Sequence, residues 1–563
     1  MAGLCGAVLT GERSDDAASA AIARPMLHHA GLSFSDAAGE GWRSGVVAPR
    51  GGASATILIL PDGATVAIAG SLLLRDPRFG DLAQAFTALS RMLEGDAADL
   101  GRWFARVDGC FAFAMVDPAR RRLLLANDRH GGMPVYTGRS AAGLFWASEA
   151  KAVAASVGDA VDPAMLERFV AKGWLQPPLT HYRGVTQLPP RSAMLVRWPE
   201  ASERAVEVYP PQAIPQNIAT PIEEAKERFA TLLMEAIRAR VTPASSGDIV
   251  VTLSGGLDSR LLAAEARKFG TVRTVTYGQP RSPELALAAQ VARKLGVAHE
   301  IVPIDHSNWL TGRDGAIWMA DGMQDVSHAH IVHVANAISG AGVVLDGLFG
   351  DVVLGRGAIT VDPAVEEATN RYLRINRFTY FGPRIEQNFA AVATPLIDQA
   401  LIDFMDGLSP AVTDGGRLYR EAAGAMHPDV FASVPWLKTG AYPYPYRPHK
   451  WAAAQRKSVR RISQLSRWTG LPIAGSWTTM DYFGWYRGKD FQRLYRALVD
   501  GPGAMLRDQI SVPNTAALFL RLPSPSRLQQ ITRVLTLEVW LRQVAAGRAL
   551  SWDEMFDTAE TKR

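Results

Sequence analysis

The chain has 563 residues, too many for one ordinary hydrophobic core, so two or more domains are expected. Apolar residues make up 48% and charged residues 20%, and no apolar run reaches the roughly 18 residues of a membrane span, which argues against a membrane-embedded chain. A net charge of +5 is too mild to imply nucleic acid, and two cysteines, Cys5 and Cys110, exclude a disulfide framework or a zinc motif.

The N-terminus, MAGLCGAVLTGERSDD, lacks a basic stretch followed by an apolar one. No secretory signal is expected, and a cytoplasmic location fits. Short apolar segments separated by Gly, Pro and Asp follow, among them Thr56–Leu60, Thr65–Ala69, Cys110–Val116 and Arg122–Ala126. Their spacing predicts an antiparallel, sheet-rich domain over residues 1–208. Pro210, Pro211, Pro215 and Pro221 mark residues 209–221 as a linker.

From Ile222 the pattern changes. Ile222–Arg240 repeats apolar residues at helical spacing, and Asp248–Leu253 is a β-branched run expected as a buried parallel strand. Leu261–Phe269 predicts a helix, Val272–Tyr277 a strand, Pro283–Leu295 a helix and Val343–Leu345 a further strand. This alternation predicts a doubly wound α/β domain within 222–563, mostly helical beyond about residue 360.

The strongest motif lies inside that alternation. A strand runs into Ser254-Gly255-Gly256-Leu257-Asp258-Ser259, and a helix starts at once. Glycines let the backbone approach a ligand, while successive N–H groups and a helix N-terminus favour phosphate. Ser254 and Ser259 add hydroxyls. Asp258 would repel phosphate unless a cation lies between them, which makes it a candidate Mg2+ ligand. The Walker pattern is absent.

The hexapeptide resembles the PP-loop of ATP pyrophosphatases, which split ATP between its α- and β-phosphates. That cleavage implies an acyl-adenylate. The whole chain resembles the asparagine synthetase superfamily. LDGLFGDVVLG (345–355) is similar to its second ATP motif, SGEGxDExxGG, with Asp351 on the motif's Asp. The resemblance implies that Asp258 and Asp351 hold Mg2+ and that ATP lies on Leu253, Ser254, Gly255, Gly256, Asp258 and Ser259. Tyr277, Gly278 and Gly347 complete the expected nucleotide set. ATPLIDQALIDFMDGLSP (393–410) places Asp398 on a motif Asp, read as structural. SVPWLKTG (433–440) places Lys438 where the family has a lysine that stabilises developing charge. LEVWLRQ (537–543) is similar to a closing helix. The run Arg456–Arg461 reads as a solvated helix face.

The first 208 residues resemble the family's glutaminase domain, an Ntn-hydrolase-like fold, through VDGCFAFAMVD (107–117), NDRHGGMPVY (127–136) and FWASEAKAV (145–153). Active members begin Met-Cys-Gly, and that cysteine is the nucleophile. Here Ala2 occupies its place, Cys5 falls three residues later, and AGSLLLR (69–75) replaces the family's Asn-bearing loop. A domain without glutaminase activity is expected, so another nitrogen source is needed, and the substrate's own amine is the expected one.

Two branches of the family make such an amide. Lasso peptide cyclases join the N-terminal amine of a precursor peptide to an Asp or Glu side chain; β-lactam synthetases close a four-membered ring. The β-lactam branch is expected to carry Tyr where this chain has Leu348, and asparagine synthetases carry Glu. The resemblance therefore favours a lasso cyclase, with a precursor peptide, a leader peptidase and a leader-binding protein as partners. An ammonia-using or β-lactam-type ligase is the alternative. The base that deprotonates the amine stays unassigned. Trp436, Tyr442, Tyr444, Tyr446, Trp451, Trp477, Tyr482, Trp485 and Tyr486 could line a peptide cleft, although core packing is the default for aromatics.

Overall fold

Alternating apolar and small residues build two six-stranded sheets in the first 207 residues. The strands are β1 (Gly3–Leu9), β2 (Leu32–Gly39), β3 (Trp42–Pro49), β4 (Ala55–Ile59), β5 (Thr65–Leu74) and β6 (Val107–Asp117). They continue with β7 (Arg122–Asn127), β8 (Tyr136–Ser140), β9 (Gly143–Ala147), β10 (Thr186–Gln187), β11 (Ser192–Arg197) and β12 (Ser202–Glu207). This computed structural model describes residues 3–10, 21–52, 54–93, 97–199, 202–209, 219–242, 247–280, 282–354, 373–446, 458, 461–462, 479–520 and 525–561.

One sheet runs β10-β8-β9-β1-β3-β2, the other β12-β11-β7-β6-β5-β4. Every pairing is antiparallel, and β1 and β3 pack against β5. Helices Leu82–Met92 and Ala97–Phe104 cover the outer face of the second sheet, where Phe86, Trp103, Phe104 and Phe113 meet edge to face or stacked. Ala150–Val157 covers β8 and β9.

The second half is built on a parallel sheet: β13 (Ile249–Thr252), β14 (Val272–Gly278), β15 (Ala298–Pro303), β16 (Val343–Leu345) and β17 (Val392–Ala393). Its order is β15-β14-β13-β16-β17, all parallel. Both faces are covered, because successive residues of a strand point opposite ways. Ile249 and Val251 join the core of helices Ile222–Val241 and Asp258–Ala266, while Val250 and Val344 pack with Ile331, Val334 and Ile385. The chain leaves β13 toward β14 on one side and later returns to β16 on the other. The crevice between the C-terminal ends of β13 and β16 is a topological switch point, where such folds bind ligands.

Several expectations shift by a few residues or change kind. The helix expected over Leu261–Phe269 spans Asp258–Ala266, starting inside the glycine motif. Residues 69–74 are strand, paired with β6, not loop. Gly70 sits there at φ +85, where a Cβ would lie 2.2 Å from the Cys110 carbonyl oxygen. Helix Pro525–Ala546 contains residues 537–543 and buries Leu537, Val539 and Trp540. Trp451, Trp477 and most of Arg456–Arg461 lie outside the described residues.

The two halves share buried contacts. Arg75 and Asp108 from the first half meet Arg240 and Asp398 from the second. Arg240 bonds Asp398 at 2.7 Å, Arg75 bonds Asp108 at 2.7 Å, and Arg75 also reaches Asp398. Burial raises the Asp108 carboxyl, but Arg240 and Arg75 outweigh it and hold it below its ordinary range. Asp398 also caps helix Gln399–Gly407 through the Ala400 N–H at 3.1 Å. Its structural reading fits these contacts.

Candidate active site at the switch point

A cavity of about 580 Å³ occupies the crevice. Its floor is the glycine motif. The Ser254 N–H donates to Ser259 Oγ at 2.9 Å, the Gly256 N–H donates to Ser254 Oγ at 3.1 Å, and the two hydroxyls lie 3.0 Å apart. These bonds set the loop's shape with its helix starting at Asp258. Leu253, Ser254, Gly256, Asp258 and Ser259 all line the cavity.

The second motif closes over the first. A Cβ on Gly347 would lie 2.8 Å from the Ser259 nitrogen, and one on Gly350 would lie 2.1 Å from the Asp258 carboxyl carbon. Only glycine permits that approach. Gly350 therefore brings the Asp351 backbone beside Asp258, while the Asp351 side chain lies outside the described residues. Asp258 accepts a 2.7 Å hydrogen bond from the Tyr419 hydroxyl. Among the described residues, no group of three or more His, Cys, Asp or Glu side chains is gathered to hold a metal. One or two carboxylates completed by substrate phosphates is a usual Mg2+ arrangement, and Asp258 fits that donor set.

Tyr277 lines the cavity from the end of β14. Gly278 and Gly255 do not line it. Gly255 instead packs on Leu437, whose N–H donates to the Gly255 carbonyl at 3.2 Å. That docks segment 430–440 on the motif. Arg260 holds the same segment, donating to the carbonyls of Val430, Val434 and Pro435 at 3.2, 2.7 and 2.9 Å. Lys438, next after Leu437, is exposed, with its ammonium 5.6 Å from the Trp436 ring centre, and it does not line the cavity.

Leu348 lines the cavity and gives it an apolar wall. None of the seven described aromatics that could line a peptide cleft lines this cavity. Tyr482, Trp485 and Tyr486 pack around Trp309 instead, because rings of that size gain more by burial in the core. Tyr442 and Tyr446 are exposed.

Several groups in or beside the cavity were not anticipated. Asp346, directly after β16, accepts the Leu348 N–H at 2.9 Å. Burial pushes its carboxyl up to about 6, against that hydrogen bond. Glu386 is fully buried, and burial first, then Asp346, pushes its carboxyl well up. Glu284 sits in the first turn of its helix, His328 and His330 stand at the wall, and Arg374 stands at the mouth. Burial, with Arg313 adding to it, pushes His330 down to about 3, so its ring is neutral. The repeat His328-Ala-His330 and the Asp beside Gly347 are signals that sequence reading could have used. Tyr419 and Glu386 carry none, since they arrive from distant helices.

In the first half, Cys5 is buried in β1 between β3 and β9. Burial pushes its thiol well up, with Asp36 and Glu149 adding to it, which disfavours the thiolate that a nucleophile needs. Gly3 and Leu4 are strand residues, and Leu4 exchanges hydrogen bonds with Ser148. Ala2 lies outside the described residues.

Comparison with known proteins agrees with both halves. Residues 99–209 match the glutamine amidotransferase domain, and residues 228–467 match asparagine synthase. Both domains are those of the asparagine synthetase superfamily. Glutamine-hydrolysing asparagine synthetase of Homo sapiens is 26% identical over 40% of this chain and 40% of its own length. That of Mesocricetus auratus is 25% identical over 40% of each. Carboxyethyl-arginine beta-lactam-synthase of Streptomyces clavuligerus is 31% identical over 37% of this chain and 38% of its own. The chain thus spans about two fifths of the curated relatives it matches, up to 42% of the mycobacterial ones. No described helix is long and apolar enough to cross a membrane.

Proposed function

We propose that the protein joins a peptide's own N-terminal amine to an Asp or Glu side chain of the same peptide, in the manner of a lasso peptide cyclase. The observation that carries the reading is the closed Ser254–Ser259 loop facing a cavity whose second motif presents Leu348. The loop supports ATP binding and carboxylate activation. Leu348 supplies no carboxylate or phenol at the position that the relatives use for chemistry.

ATP would lie with its phosphates on the Ser254–Ser259 backbone, and Asp258 and Asp351 would hold the Mg2+ that shields their charge. The substrate carboxylate attacks the α-phosphate and pyrophosphate leaves. The amine then attacks the acyl-adenylate and AMP leaves. We assign Lys438 to the developing charge, because its loop is docked on Gly255. A pre-folded peptide lowers the entropic barrier to closure. The inert-looking Cys5 supports a first half that serves as scaffold. A precursor peptide, a leader peptidase and a leader-binding protein would be the partners.

A small-molecule reading draws on the size of the cavity and on the beta-lactam-synthase relative. In that case the substrate is a single amino acid derivative or aspartate with ammonia.

Mass spectrometry separates the two. A leader-free peptide incubated with the protein and Mg-ATP should lose one water as AMP and pyrophosphate appear in step. Asp258→Ala should abolish all three signals. An unchanged peptide, with AMP released only when aspartate and ammonia are supplied, would establish the small-molecule reading instead.

A further inference from the structure

Amide formation needs a proton acceptor. An amine that attacks an acyl-adenylate becomes a cationic adduct and must lose a proton before the product is stable. The residue that could serve by position, Leu348, has no titratable group. The cavity nevertheless presents one carboxyl beside it, Asp346, with the buried Glu386 behind.

Asp346 follows β16 directly. Its N–H donates to the Ala393 carbonyl at 3.0 Å, which extends the sheet and fixes the residue at the cavity wall. Its Oδ1 accepts the Leu348 N–H. Behind it, Glu386 ends helix Phe381–Glu386 and is 1% exposed. Neither Glu386 oxygen has a well-formed hydrogen bond, a costly arrangement for a buried carboxyl unless it has another role. Asp346 is its electrostatic neighbour. Tyr277 on β14 feels both carboxyls and Glu284, and the neutral His330 ring lies 5.4 Å from Tyr277. Among the described residues, no Lys or Arg acts on either carboxyl. Two neighbouring carboxyls without a cation resist being ionised together, so the pair favours holding and passing on a proton.

We propose that Asp346 is the base that takes the proton from the attacking amine, and that Glu386 is the positioning residue that shares that proton. The inference rests on the ligase reading above. In the step, the C–N bond forms and the C–O bond to AMP breaks, with its electron pair leaving on the AMP oxygen. The amine proton passes to the Asp346 carboxylate and is held between Asp346 and Glu386 until it is lost to water. Carboxylate activation comes earlier and releases no proton from an amine, so the pair has no part in it.

That separation gives the test. The full-length protein is assayed with Mg-ATP and two probes: a leader-free peptide bearing a free N-terminal amine and an internal acidic side chain, and L-aspartate with ammonia. Exchange of pyrophosphate into ATP reads activation, and mass spectrometry reads the amide. Asp346→Asn and Glu386→Gln, both near-isosteric, should keep exchange within a few-fold. Amide formation by Asp346→Asn should fall by about 10²- to 10⁴-fold. Glu386→Gln should lower the rate of amide formation without changing the peptide's apparent affinity. Hydroxylamine, neutral at pH 7 and strongly nucleophilic, should still give hydroxamate with both variants. Amide formation that stays at the wild-type rate, or that falls in step with exchange and hydroxamate, would overturn the proposal. Wild-type protein that exchanges pyrophosphate with neither probe would instead sink the ligase reading on which it stands.

Discussion

At the scale of single residues, the site depends on positions where a side chain is missing. Gly347 lets the second motif come within van der Waals range of the helix start at Ser259. An alanine there would meet backbone, which cannot swing aside as a side chain can. Gly347→Ala should therefore cost about 1–3 kcal/mol of stability. It should also raise the KM for ATP at least several-fold, measured by pyrophosphate exchange against denaturant midpoint. A variant as stable and as active as the wild type would contradict the packing described. The motif residues from Leu253 to Ser259 were legible because a strand, two glycines, a hydroxyl and an acid occur in one short run. Tyr419 was not, because nothing local ties it to Asp258; only the fold closes their 2.7 Å bond.

At the scale of elements, the glycine motif is held by what docks on it. Arg260 lies one residue past the motif and is fully buried, and its guanidinium gathers three carbonyls of segment 430–435. Burial lowers it to about 10, which leaves it charged at neutral pH. Arg260→Ala would leave these carbonyls without that donor. Each buried orphan costs about 1–3 kcal/mol, so a fall of that size or more is expected in chemical denaturation. Exchange activity should fall with it, because Leu437 and Lys438 sit on the freed segment. Arg260→Lys should recover only part, since one ammonium cannot span three carbonyls as a planar fork does. Strand and helix periodicity was readable at this scale: Pro283–Leu295 and Val343–Leu345 stand where the pattern predicts. The strand predicted over Thr65–Ala69 runs on to Leu74, where the family resemblance places a loop, because pairing with β6 overrides the local preference of Gly70 and Ser71.

At the scale of the whole molecule, the two halves share ions and core. Asp398 bonds Arg240 and Arg75 and caps a helix at once. Asp398→Ala would take from the buried Arg240 guanidinium its close carboxylate partner, leaving Asp108 at 3.8 Å, at a cost of up to about 3–5 kcal/mol. Thermal unfolding should show a lower midpoint for both halves together; a loss confined to one half would show that they melt independently.

A buried histidine gives a pH test. His181 bonds the Gly322 carbonyl at 3.2 Å and packs on Phe169 and Trp540, so it also bridges the halves. Burial lowers it to about 4. In the unfolded chain a histidine titrates near 6.5, so below that pH the unfolded state binds a proton that the native state refuses. Its contribution is thus present above about pH 6.5 and is lost as pH falls toward 4. Buried carboxyls that are pushed up, such as Asp346 and Glu386, titrate in the opposite sense and depressed ones such as Asp108 in the same sense, so the test is a difference between proteins. Between pH 7 and pH 5, His181→Gln should lose about 2 kcal/mol less stability than the wild type. Parallel stability curves for the two proteins would refute the buried neutral ring.

The sequence by itself determined the local devices: the glycine-rich phosphate loop, the alternation that makes a parallel sheet, and the change of pattern near residue 222. Those depend on neighbours a few residues apart, where propensity and periodicity act. The tertiary structure alone decided which aromatics are core and which distant carboxyls become partners. Asp346 and Glu386 lie 40 positions apart and meet because β16 and helix Phe381–Glu386 end at the same crevice. Burial then sets their protonation, and burial is a property of the folded whole rather than of any segment.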